Sequence, residues 1–159
     1  MELDSQKVVP HIRQLFDDQV TQIRSNAYHC LINVCHFTAG LDAVIDFGII
    51  PVLVDKLVME KEEEILILIL KLIKILNEGE LAPTILQNTP VIERLNKHLG
   101  SSNAKIREMA AMNLGSLSYN LLGKEKCINA GSIKPLSEML VDEVSEVRTA
   151  ATRALCSLS

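Results

Sequence analysis

The residues of this 159-residue chain that could do chemistry are few and poorly placed for it. The run His29-Cys30-Leu31-Ile32-Asn33-Val34-Cys35-His36 gathers four metal-ligating side chains. On a helix, His29 and His36 share a face but stand about 10 Å apart along the axis, too far for one ion whose bonds are about 2 Å long. Cys30 and Cys35 diverge by about 140° around that helix at roughly 100° per residue, and Cys127 and Cys156 lie far along the chain. All four thiols are therefore expected to be reduced and buried, with no metal and no cofactor. The sequence holds no Gly-rich phosphate loop, Gly-x-Ser-x-Gly elbow or paired carboxylate constellation, so an enzyme is not expected. The acidic run Glu60-Lys61-Glu62-Glu63-Glu64 reads as the start of a long helix, where the dipole favours each carboxylate by about 0.3–1 kcal/mol.

The elements that position these residues are helices packed on helices. Hydrophobic residues make up 48% of the chain, yet there is no Trp and only 3 Phe and 2 Tyr, so Leu, Ile and Ala must build the core. The net charge of -4 is spread over mixed signs without a basic, aromatic-interleaved stripe, so nucleic acid is not an expected partner. The longest apolar run, residues 65–76, is interrupted by Lys71 and Lys74 and is short of the roughly 20 residues that cross a bilayer. Met1-Glu2-Leu3-Asp4 lacks the basic start and apolar stretch of a signal peptide. An intracellular protein with no membrane partner is expected.

An Ile/Val-Arg-x-x-Ala core recurs at Ile23-Arg24, Ile106-Arg107 and Val147-Arg148. Ile23, Ile65, Ile106 and Val147 are spaced by 42, 41 and 41 residues, and Leu15, Leu57, Leu99 and Leu140 by 42, 42 and 41. At the second copy the Arg and Ala are lost to Leu66 and Ile69. A helical period of about 40–47 belongs to arrays in which no repeat buries its apolar face alone. Each period predicts a short, a medium and a long helix: 39–47, 49–58 and 61–77; then 79–87, 91–99 and 104–118; then 124–129, 133–141 and 144–158. A medium helix over 6–16 precedes them. Gly48 permits a turn, Pro83 suits a first helical turn, and Asp17, Ser102 and Asp142 are placed to cap long helices. The division is a partial repeat, 6–36, and repeats 37–78, 79–120 and 121–159.

These residues resemble the armadillo repeat. Its Ala-x-x-x-Leu pattern is seen at Ala27 with Leu31, Ala110 with Leu114 and Ala151 with Leu155, and its Gly-hydrophobic-hydrophobic-Pro opening at Gly48-Ile49-Ile50-Pro51. The resemblance implies an all-α, right-handed superhelical armadillo-type solenoid of about three and a half three-helix repeats. The stretch 40–50, Asp55-Lys56-Leu57-Val58 before the glutamate run, and Asn103-Ala104-Lys105-Ile106-Arg107 through Leu114 are similar to the armadillo-type radial spoke head proteins of cilia and flagella. That similarity implies a non-catalytic scaffold of the axoneme whose partners are other radial spoke subunits. The alternative is a general armadillo adaptor that binds extended peptides in transport, adhesion or trafficking. Self-association through exposed terminal repeats is a further expectation, since ends without polar caps leave apolar faces uncovered.

In armadillo arrays the long helices line the concave face. The positions matching the Trp of nuclear-import receptors are His29, Lys71, Met112 and Arg153, and those matching their Asn are Asn33, Ile75, Ser116 and Ser157. Leu66, Ile67 and Ile75 stand where other repeats carry polar residues, so an apolar groove patch is expected there. The expected partner contact is thus His29, Asn33, Leu66, Ile67, Lys71, Ile75, Met112, Ser116 and Arg153.

The same phasing makes Ala27, Ala110 and Ala151 points of close helix approach, with Ile69 needing a locally wider repeat. Replacing Ala110 by Leu should overpack the stack and cost about 1–3 kcal/mol in a denaturant melt; unchanged stability would contradict the shared phase.

Overall fold

A computed structural model describes residues 4–159, and among these the chain forms helices and no strand. The elements in order are α1 (Ser5–Gln14) with a 3-10 turn (Leu15–Asp17), α2 (Thr21–Val34), α3 (Thr38–Asp46), α4 (Ile49–Met59), α5 (Glu63–Asn77), α6 (Ala82–Gln87), α7 (Val91–His98), α8 (Ala104–Leu117), α9 (Leu121–Asn129), α10 (Ile133–Glu138) with a 3-10 turn (Met139–Val141), and α11 (Ser145–Leu158). The run of Ile and Leu from 65 to 70 lies in α5.

The four long helices α2, α5, α8 and α11 pack side by side in chain order, and α1, α4, α7 and α10 each pack on the long helix that follows. Between the two layers lies a continuous apolar core. Ile65, Ile69, Leu72, Ile73 and Leu76 of α5 are wholly buried, as are Ala110 and Leu114 of α8 and Ala151 and Ala154 of α11. A Cβ added at Gly115 would come within 3.2 Å of the Ala154 Cα, so α8 and α11 approach closely.

The recurring arginine ties each repeat to the next. Arg24 Nη1 donates to the carbonyls of Asp18 (2.8 Å) and Gln19, while its Nε and Nη2 reach the two oxygens of Glu60. Arg107 repeats the pattern one junction apart from it: Nη1 donates to Ser101 and Ser102 carbonyls, and Nε and Nη2 grip both oxygens of Asp142 at 2.8 and 2.9 Å. Each acid also accepts the backbone N–H two residues on, Glu62 for Glu60 and Val144 for Asp142. These side chains are largely shielded, with Arg24 15% and Arg107 13% exposed, and bidentate charge-assisted pairs are the strong kind. At the α5–α8 junction Leu66 replaces the arginine and Ser101 the acid. Ser101 keeps only the turn, accepting the Asn103 N–H at 3.2 Å.

Several expected boundaries and caps move for local reasons. The long helix expected from 61 begins at Glu63, because the Glu60 carboxylate already holds the Lys61 and Glu62 N–H groups in a turn. The short helix expected from 79 begins at Ala82, with Pro83 in its first turn. The helix expected from 124 begins at Leu121, because the Asn120 side chain accepts the Gly123 N–H at 2.8 Å. Asp17 does not cap α2; it receives Lys56 at 2.5 Å, and its neighbour Asp18 forms the turn by accepting the Val20 N–H. Asn103, not Ser102, caps α8, accepting from Lys105 and Ile106. Asp142 serves the turn and Arg107 rather than the end of α11.

Gly48 and Gly131 take the left-handed turn before α4 and α10, with φ of 60° and 74°. Gly40 and Gly123 are needed for space: a Cβ would lie 2.0 Å from the Val34 carbonyl oxygen and 1.7 Å from that of Leu117. The short helices α3 and α9 therefore press directly on the ends of α2 and α8. Cys35 and Cys127 are buried free thiols, and burial pushes Cys35 up to about 12. Cys30 and Cys156 are exposed, contrary to expectation, because they sit on faces of α2 and α11 with no long helix against them.

Gly123→Ala should lower the melting temperature sharply, since backbone rather than a flexible side chain blocks the new methyl; a wild-type melt would contradict the close approach. The Asp142 carboxyl is held below its ordinary 3.8, first by Arg107 and then by the Val144 N–H. A lowered folded-state value contributes stability that is fully present above 3.8 and lost as pH falls through the lowered value. Arg107→Leu should melt below wild type at neutral pH, with the gap narrowing below pH 3.8; a gap independent of pH would contradict the pairing.

Candidate functional site

The exposed face of the long-helix layer presents one row of side chains per helix turn. His29 and Asn33 of α2, Lys71 of α5 and Arg153 of α11 are exposed, while Ile67, Ile75, Met112 and Ser116 are half-buried. Leu66 is not part of this surface. It is 7% exposed and belongs to the core, because its row is the arginine row, which turns toward the connecting loops and the next repeat. Ile67 and Ile75 also pack against the core, so the expected apolar patch reduces to their half-exposed edges.

An open hollow of about 520 Å³ lies between α8 and α11, lined also by Lys74 of α5. Of the expected residues it brings together Met112, Ser116 and Arg153; His29, Asn33, Ile67, Lys71 and Ile75 lie outside it. It adds Lys74, Glu108, Glu146 and Tyr119. Gly115 forms part of its floor, and a glycine inside the long helix, in the row of Ile32 and Lys74, is the signal in the sequence that a depression lies there.

The polar groups of the hollow are mostly committed. Glu108 pairs with Lys105 at 2.8 Å, and Lys74 pairs with Glu78 one turn on. The Glu146 carboxyl is held below its ordinary range by its own backbone N–H and by the Ser145 hydroxyl. Arg153 forms no ion pair among the described residues. Tyr119, at the end of α8, is 92% exposed. The hollow thus offers a thioether floor, one unpaired guanidinium and one exposed ring.

The row that begins at Asn33 does not present a ladder of amides. Ile75 replaces the second, and the hydroxyls of Ser116 and Ser157 each donate to the carbonyl four residues back, Met112 and Arg153, at 3.2 Å. The one buried amide of α8, Asn113, is structural: its Nδ2 donates to the Leu70 and Met109 carbonyls at 3.0 and 2.9 Å, and its Oδ1 accepts from Asn77. Among the described residues no group of three or more His, Cys, Asp or Glu could hold a metal, and no helix is long and apolar enough to cross a membrane.

No protein-family model matches the sequence, and no curated protein matches it. Solved structures do match. A designed armadillo repeat protein in complex with the peptide (KR)4 superposes with a TM-score of 0.88 at 19% identity, over 96% of this chain and 65% of that one. A computationally designed armadillo repeat protein for modular peptide recognition gives 0.87 at 20% identity, over 98% and 68%. An engineered protein gives 0.86 at 22% identity, over 95% and 62%. This chain thus spans less than two thirds of the first and third of these chains. The fold is an all-α solenoid of armadillo-type helical repeats.

Proposed function

We propose that the chain is a non-catalytic protein-interaction scaffold whose partner lies against the long-helix layer and is anchored in the hollow between α8 and α11. The observation that carries this reading is the unpaired Arg153 set beside Met112 and Tyr119, since arginine and aromatic residues at the centre of a contact dominate binding energy. The broken amide row favours a fixed assembly contact over an extended peptide read evenly along every repeat. The more specific form is a subunit of the ciliary or flagellar radial spoke, located in the axoneme and contacting other spoke subunits. It is supported by the sequence blocks that resemble radial spoke head proteins. The alternative, an adaptor for extended peptides, is favoured by the peptide-recognising designs among the structural neighbours.

The test is affinity capture from ciliated cells with the wild-type chain and with Arg153→Glu combined with Met112→Ser, each accompanied by a melting curve. Recovery of radial spoke subunits by the wild type, with capture falling about tenfold for a loss near 1.4 kcal/mol and the melt unchanged, is the expected result. Recovery of transport or adhesion proteins would move the function to the adaptor. Equal capture by both proteins would remove the hollow from the contact.

A further inference from the structure

The hollow lies between two long helices packed on each other, so a repeat added on the far side of α11 would leave it open. Its walls carry hydroxyls, but these are turned back on their own helices. Thr149 donates to the Ser145 carbonyl at 2.9 Å, Ser116 to that of Met112 and Ser157 to that of Arg153, each four residues back. A hydroxyl has one proton to donate, so these donors are spent. Glu108 and Lys74 are held by Lys105 and Glu78. The nearby amide of Asn113 is buried and bonded to the Leu70 and Met109 carbonyls.

An extended peptide brings a backbone N–H and C=O at nearly every residue and must find partners for those it buries. An α-helix pairs its own, apart from those at its ends. Walls without free side-chain donors or amides therefore suit a helix. The floor agrees with this. Gly115, Ala150 and Ala154 line the hollow, and such small side chains let another helix approach to the ~8–10 Å of ordinary helix packing.

Two charges of the hollow have no ion partner among the described residues. Glu146 accepts the hydroxyl of Ser145 at 2.8 Å and forms no ion pair, and Arg153 forms none. Both belong to α11, seven positions apart, which puts them on one face of the helix about 10 Å from each other along its axis. That is too far for them to pair together. A partner helix meets them with a cation against Glu146 and a carboxylate against Arg153. Helices favour carboxylates toward their N-terminus and cations toward their C-terminus, so the N-terminal end of the partner lies at the C-terminal end of α11.

Resting on the reading that the hollow is the contact, we infer that its occupant is an amphipathic helix laid antiparallel to α11. Its apolar face lies on Gly115 and Ala150, with an acidic residue against Arg153 and, two turns later, a basic residue against Glu146.

The test titrates three synthetic peptides of about 20 residues, long enough to form a helix alone, against the full chain by fluorescence anisotropy. The first carries Ala and Leu on one face, flanked by a Glu and, two turns later, a Lys. The second exchanges that Glu and Lys, and the third breaks the helix with a central proline. The first should bind about tenfold more tightly than either of the others. Glu146→Lys combined with Arg153→Glu should invert the order of the first two and leave the melting curve at wild type. Equal binding of the first and second would overturn the antiparallel charge pairing, and equal binding of the third would overturn a helical occupant. Binding by none of the three overturns the inference; the hollow itself then still stands as a contact if Arg153→Glu with Met112→Ser loses captured partners, and falls if capture is equal.

Discussion

One constraint organises the stack: each long helix must stay in register with the next while two helices and three connections intervene. The arginine at the foot of the long helix meets it with one side chain. One nitrogen fixes the loop that enters the helix and two fix the acid that shapes the equivalent loop of the following repeat. An exposed ion pair is worth little, but a shielded bidentate one is costly to break by halves, because the remaining charge stays desolvated. This accounts for the α5–α8 junction, where both halves are absent together. Leu66 joins the core, Ser101 keeps the turn, and no charge is stranded.

The same junction shapes the surface on which a partner contact is proposed. With Leu66 drawn into the core and Ile67 and Ile75 half-buried, the middle of the long-helix layer is closely packed and offers little relief. Relief appears at the next junction, where Gly115 and Ala154 bring α8 and α11 together and leave the hollow above them. The exposed surface of the long-helix layer is thus uneven along the stack, and the unpaired Arg153 sits at one end of it. That distribution suits a partner docked at one place better than a peptide read repeat by repeat.

The sequence was informative wherever a residue's role repeats at every period. The Ile, Val and Ala rows placed the long helices to within a residue or two, because burial at those positions is imposed by the stack. The arginine row was misjudged for a physical reason: its polar residues point to loop carbonyls and acids, not to the groove, so Leu66 in that row marks a lost clasp and not an exposed patch. Local polar contacts were less legible. Asp17 and Asp18 are adjacent and chemically identical, and only the fold shows that one receives Lys56 and the other makes the turn. The helix expected over 124–129 begins at Leu121 and includes Gly123, which is required there by the Leu117 carbonyl against it. Lys74 and Tyr119 entered the hollow without any repeated signal, since the row of Lys74 holds Ile32, Gly115 and Cys156, which share no residue type with it, and Tyr119 lies beyond the end of α8.

The dependence of the stack on the clasp is tested most directly by a double-mutant cycle on Arg107 and Asp142, using Arg107→Leu, Asp142→Ser and the pair, read by denaturant unfolding. The paired change reproduces at the α8–α11 junction what Leu66 and Ser101 are at the α5–α8 junction. The clasp predicts strong non-additivity, with the double variant at least as stable as Arg107→Leu alone. Losses that simply add would contradict it and show that the helices hold their register without it.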